Sequence, residues 1–138
     1  MDDYHTDVAA WATQQADALR RHASNEIDWD NLAEEIEDLA SRYRDEIESR
    51  LVVICEHLLK LAHLADPDPQ RGWRVTIIEQ RRRIARIIRK NPSLHSHPSA
   101  ALAEAYDDAR AVVAEYADDL PETCPWTITQ VLDTDFWP

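Results

Sequence analysis

Residues 28–63 contain neither glycine nor proline. A run of that length without a helix breaker reads as a single helix, roughly 54 Å long at 1.5 Å per residue. Any fold for this chain must be built around it. At about 100° per residue, Leu32, Ile36, Leu39, Tyr43, Ile54 and Leu61 fall on one face. Arg50 and His57 fall on the same face, with Glu35, Glu46 and Val53 at its edge. The far half is apolar enough to be a buried central helix. A core-facing stripe interrupted by Arg and His is either a structural polar layer or a site.

The remainder of the chain agrees with a helical fold. Gly72 is the only glycine, and the β-branched runs that mark strands are missing. A length of 138 residues fits one domain, 1–138. The expected architecture is all-α, a compact bundle of four main helices with a long central second helix and a short C-terminal helix. The formal net charge of −12 argues against nucleic-acid or anionic-membrane binding by the whole surface. No apolar stretch approaches the roughly 20 residues of a membrane span, and the opening Met1-Asp2-Asp3-Tyr4-His5 lacks signal-peptide character. Cys55 and Cys124 have no metal-ligand spacing and read as free thiols, so the expected compartment is the cytoplasm.

In chain order, Thr6 or Asp7 caps a first helix reaching about His22. Its apolar face is Val8, Trp11, Ala12 and Leu19, with Gln15 in the middle. Ser24-Asn25-Glu26 is a linker, and Asp28 is an N-cap for the long helix. Within that helix the step from Tyr43 to Ile47 to Leu51 is four residues each time, so the stripe rotates. A kink or a change of packing partner is expected there. Asp66-Pro67-Asp68-Pro69 ends the run. A third helix starts near Gln70 to Trp73 and stops before Pro92, with Trp73, Ile77, Ile84, Ile87 and Ile88 inward and Gln80 at the centre of that stripe. A fourth starts at Ser96, His97 or Ser99 and carries Leu102, Ala105, Tyr106, Ala109, Val113, Tyr116 and Leu120. Thr127 and Gln130 have capping-box spacing for a last short helix, after which Phe136 and Trp137 dock.

Three groups of residues invite a chemical reading. The first is the inward polar set Gln15, Glu35, Glu46, Arg50, His57 and Gln80, with Arg83 beside it. Buried charge must pair, reach water or reach a ligand. As a structural layer, Arg50 would be held by Glu35 or Glu46 and backbone carbonyls, and His57 by Gln80 or Glu46. As a site, Arg50 would bind an anion or carboxylate and His57 would serve as acid or base. The second is metal binding, for which no Glu-x-x-His pattern exists; no metal and no cofactor are expected. The third is the basic helix, residues 71–90, with a net charge of +7. Arg81, Arg82, Arg83, Arg86, Arg89 and Lys90 form its candidate interaction patch. They serve either a nucleic-acid backbone or acidic surfaces of this protein or of another subunit. Cys124, beside Pro125, has no activating partner in the surrounding sequence.

Several short stretches, taken together, resemble a known family. They are Leu32-Ala33-Glu34-Glu35-Ile36-Glu37, Ser49-Arg50-Leu51, His57-Leu58-Leu59-Lys60, Trp73-Arg74, Thr76-Ile77, Glu79-Gln80-Arg81 and Pro92-Ser93-Leu94. Tyr106, Ala109-Arg110, Pro125 and Pro138 complete the series. In order and spacing they resemble domain-of-unknown-function family 29, bacterial and common in cyanobacteria, from Tyr4 to Pro138. Leu61 stands where the family often has Trp. The resemblance implies a stand-alone all-helical domain and transfers no catalytic role. With no catalytic template in the sequence, the expected function is a non-catalytic protein-interaction domain, with a protein partner or a homodimer. The alternatives are a small-ligand or enzymatic site at Arg50 and His57, and a nucleic-acid accessory using the basic helix.

Overall fold

The punctuation of the sequence sets the helix ends. The computed structural model describes residues 3–138. Among these there are six α-helices and no strand: α1 (Asp3–Thr6), α2 (Val8–Arg20), α3 (Trp29–His63), α4 (Gln70–Lys90), α5 (His97–Val113) and α6 (Ile128–Leu132). The all-α class with four main helices and a short C-terminal one is therefore as expected. α3 is continuous through the segment where its stripe rotates. The chain divides into two compact units at that segment, residues 3–42 and Tyr43–Pro138.

The first unit is a helical hairpin. Asp7 caps α2, its side chain accepting from the Ala10 backbone N–H at 3.0 Å. α2 ends in a Schellman-type turn, in which His22 takes a positive φ of 57° and the Ala23 N–H returns to the Ala18 carbonyl at 2.9 Å. Trp11, Gln15 and Ala18 are buried. Polar stitches hold the two arms together. Gln15 donates to the Glu26 carbonyl (3.2 Å) and accepts from the Asp28 N–H (2.7 Å). Asp28 Oδ2 accepts from Trp11 Nε1 (3.0 Å) and from Asn31 Nδ2 (2.9 Å), and Tyr4 donates to Glu35 (2.6 Å).

The second unit has an ordinary apolar core. Ile47, Leu51, Ile54 and Leu58 step down α3 by four, three and four residues and are fully buried, against Ile77, Ile84 and Ile87 of α4, Ala101 and Ala105 of α5, and Val131 of α6. Each such Leu or Ile stabilises the fold by about 1.5–3 kcal/mol. A second cluster packs Cys55 and Leu59 against Tyr106, Ala109, Val113 and Leu120. Phe136 and Trp137 dock on the first cluster, as the sequence suggested, and the Thr127–Gln130 capping box forms. α5 ends at Val113, earlier than its apolar face implied. Tyr116 is exposed, while Leu120 is buried from the following loop. That loop is tied down by Tyr106 and Arg110, which donate to the Pro121 carbonyl at 2.6 and 2.9 Å.

Candidate functional site

The inward polar set does not converge. Arg50, one turn beyond Glu46 on α3, donates from Nε and Nη2 to Glu46 Oε1 (3.0 and 2.7 Å) and from Nη1 to Gln80 Oε1 (2.9 Å). The i, i+4 spacing places the carboxylate beneath the guanidinium, and Gln80 reaches it from α4. This corrects the expectation of Glu35 or backbone carbonyls as its partners. Glu35 belongs to the hairpin, where it holds Tyr4. The Tyr4 hydroxyl is pushed up to about 12, first by that hydrogen bond.

His57 departs further from expectation. Its Nδ1 lies 2.7 Å from the Val53 carbonyl, one turn back in α3, rather than on Gln80 or Glu46. A carbonyl only accepts, so Nδ1 carries the proton. Gln15, the remaining member, is spent on the linker between α2 and α3.

The basic patch divides as well. Arg82, Arg83, Arg86, Arg89 and Lys90 lie on exposed positions of α4. Arg81 is 2% exposed and leaves the patch. It donates from Nε to the Val131 carbonyl (2.8 Å) and from Nη2 to those of Phe136 (3.0 Å) and Gln130 (3.4 Å), and it lies over the Trp137 ring. Its Nη1 is buried without a hydrogen-bond partner. Arg81 is thus a clamp on the C-terminal segment. The position follows from the period, since 77, 81, 84 and 88 form one helical row; Arg83, suspected of facing inward, lies off it and is exposed. Arg83, Arg86 and Lys90 line a shallow groove of about 250 Å³ together with Tyr43, Glu46 and Asn91.

Two features were not foreseen. Cys124 does have a partner. The Cys55 thiol hydrogen-bonds to it, pushing Cys55 up and holding Cys124 below the ordinary thiol range, with the Trp126 backbone assisting and burial opposing. Both are free cysteines. The second feature is on the hairpin. Ile36 is 61% and Leu39 48% exposed, although both belong to the stripe read as core, and Val8, Ala12 and Leu19 of α2 are exposed too. Between the arms runs a groove of about 270 Å³ lined by Val8, Trp11, Ala12, Leu19, Leu32 and Glu35 among others. The spacing of these residues was legible; their lack of a cover was not.

The family model described as Domain of unknown function DUF29 matches residues 4–137. The chain belongs to this family. Comparison of the DUF29 chain with curated proteins and with solved structures gives no match. The match runs through both units, so the hairpin and the second unit are alike parts of the DUF29 domain. No helix of the described residues is long and apolar enough to cross a membrane.

Proposed function

We propose that this DUF29 chain is a non-catalytic helical interaction domain that presents its hairpin, residues 3–42, to a protein partner. The observation that carries the reading is the exposure of Ile36 and Leu39, which continue the stripe that Ile47, Leu51 and Ile54 bury in the second unit. Contiguous exposed apolar surface rimmed by charge is characteristic of docking sites. The enzymatic alternative is weakened by the engagement of Arg50 with Glu46 and Gln80 and of His57 with its own helix. Cytoplasmic residence is part of the proposal, because two adjacent reduced thiols suit a reducing compartment. The exposed basic row of α4 favours a second reading, a nucleic-acid accessory. In that reading, phosphate binding would have to overcome a net charge of −12 and would fall steeply with salt.

The test is a photo-crosslinking amino acid at Ile36 in cells that naturally make the protein, with the same probe at exposed Thr129 as control. A discrete protein adduct at Ile36 and none at Thr129 is expected. Equal or absent labelling at the two positions overturns the reading.

A further inference from the structure

We propose that the occupant of the hairpin groove is a second copy of this chain, which inserts the outer face of its own α4. The inference rests on reading the hairpin as a docking surface and names what docks there.

The groove has the pattern of a helix receptor. Val8, Ala12 and Leu19 on α2 and Leu32 on α3 line it, with small Ala16 among them, and exposed Ile36 and Leu39 continue the α3 row beyond it at spacings of four and three residues. A third helix seats its side chains between such rows. The hairpin is acidic: residues 3–42 hold ten carboxylates against three arginines, and Glu35 lines the groove itself. Two hairpins laid face to face would therefore bring like charges together, which costs affinity.

α4 offers the complement. Its inner row is Ile77, Arg81, Ile84 and Ile87. On its outer side Arg71, Val75, Ile78, Arg82, Ala85 and Arg89 form a second row, spaced alternately by four and three residues, and all six are exposed. Val75 and Ile78 are 50% and 39% exposed, with arginines before and after them. An apolar centre flanked by guanidinium groups fits an apolar groove on an acidic hairpin. The lengths are compatible, about 27 Å for the row from Arg71 to Arg89 against about 20 Å for α2. Every copy carries both halves, and the proposed assembly is the smallest one that uses both, a dimer with two identical contacts.

Sedimentation velocity of the full chain, over micromolar to hundreds of micromolar concentrations, tests this. The expected species has twice the 15.9 kDa chain mass. Its dissociation constant should rise at least tenfold between about 0.05 M and about 0.5 M salt, as screening removes the arginine–carboxylate attraction. Ile36→Glu and Ile78→Glu should each give a monomer with an unchanged circular dichroism spectrum, because both positions are exposed. Mixing the two variants should restore association, since one keeps an intact α4 and the other an intact hairpin. A dimer indifferent to Ile78→Glu and strengthened by salt would mean hairpin-on-hairpin contact and overturn the proposal. A monomer at every concentration also overturns it. Crosslinking at Ile36 then separates the two ideas: an adduct with a different protein keeps the docking reading while the second-copy inference falls.

Discussion

The two units share one helix and use it differently. From Ile47 to Leu59, α3 buries Ile47, Leu51, Ile54, Cys55, Leu58 and Leu59 against three other helices. From Leu32 to Leu39 it has the same kind of stripe, with α1 and α2 engaging it, and Ile36 and Leu39 are exposed. The second unit is held by apolar burial and by arginines that cap loop carbonyls. The hairpin is held by side-chain hydrogen bonds around Trp11, Gln15 and Asp28. An amphipathic stripe therefore records a demand for cover, and the fold meets that demand in only one of the two units.

The largest test of this contrast is a pair of truncations on α3. Leu51→Ala removes a fully buried side chain and should cost about 2–5 kcal/mol. Leu39→Ala, at a concentration where the chain is monomeric, should change stability by no more than about 0.5 kcal/mol. Urea denaturation followed by circular dichroism measures both. A cost above about 1 kcal/mol for Leu39→Ala in the monomer would mean that the stripe is covered in solution, and the contrast would collapse.

Arg81 is next. Arg81→Ala leaves the Gln130, Val131 and Phe136 carbonyls without their donor and removes the cation from the Trp137 ring. The expected loss is about 2–4 kcal/mol. Arg81→Met keeps the apolar stem and should cost roughly half as much. Proton spectra of Phe136 and Trp137 should show both rings released in the alanine variant and the hairpin resonances unmoved. Movement of the hairpin resonances would deny the two units their separate stabilisation.

Arg81 also shows what the sequence could and could not reveal. The helix boundaries were legible because breakers mark them: Pro67 and Pro69 before α4, Pro92 after it, and Thr127 with Gln130 at α6. The row 77, 81, 84 and 88 was equally legible, but the charge of Arg81 argued for the surface. What reversed that argument is a set of backbone carbonyls about fifty residues away, which side-chain patterns do not encode. His57 is the opposite case. It sits on the apolar face and suggested a tertiary partner, yet the Val53 carbonyl of its own helix satisfies Nδ1. Of the proposed core cluster only Glu46, Arg50 and Gln80 meet. A helical wheel gives direction around one axis. It does not say whether another element arrives on that side, which is why the core-facing stripe of the wheel includes Ile36 and Leu39 although both are exposed.

The smallest expected effect concerns acid. The carboxylates held below their usual range, Glu26 and Asp28, both lie in the hairpin. For Asp28 the causes are the hydrogen bonds from Asn31 and then from the Trp11 indole. A carboxyl lowered by folding contributes stability that is fully present above its ordinary value near 3.8 and is lost as pH falls through the lowered folded value. The clearly shifted groups of the second unit, Arg81, Tyr106, Cys55 and Cys124, owe their shifts first to burial or to the thiol pair, and none of them is a carboxylate. Acidification below about pH 4 should therefore loosen the hairpin first. In nitrogen-15 spectra the Trp11 indole N–H should shift and broaden while the Trp126 indole holds its position. Asp28→Asn keeps an acceptor for Trp11 and should flatten that titration without unfolding the hairpin at neutral pH. If instead both indoles change together at one pH, the units melt as one, and the hydrogen-bonded hairpin has no stability separate from the apolar core.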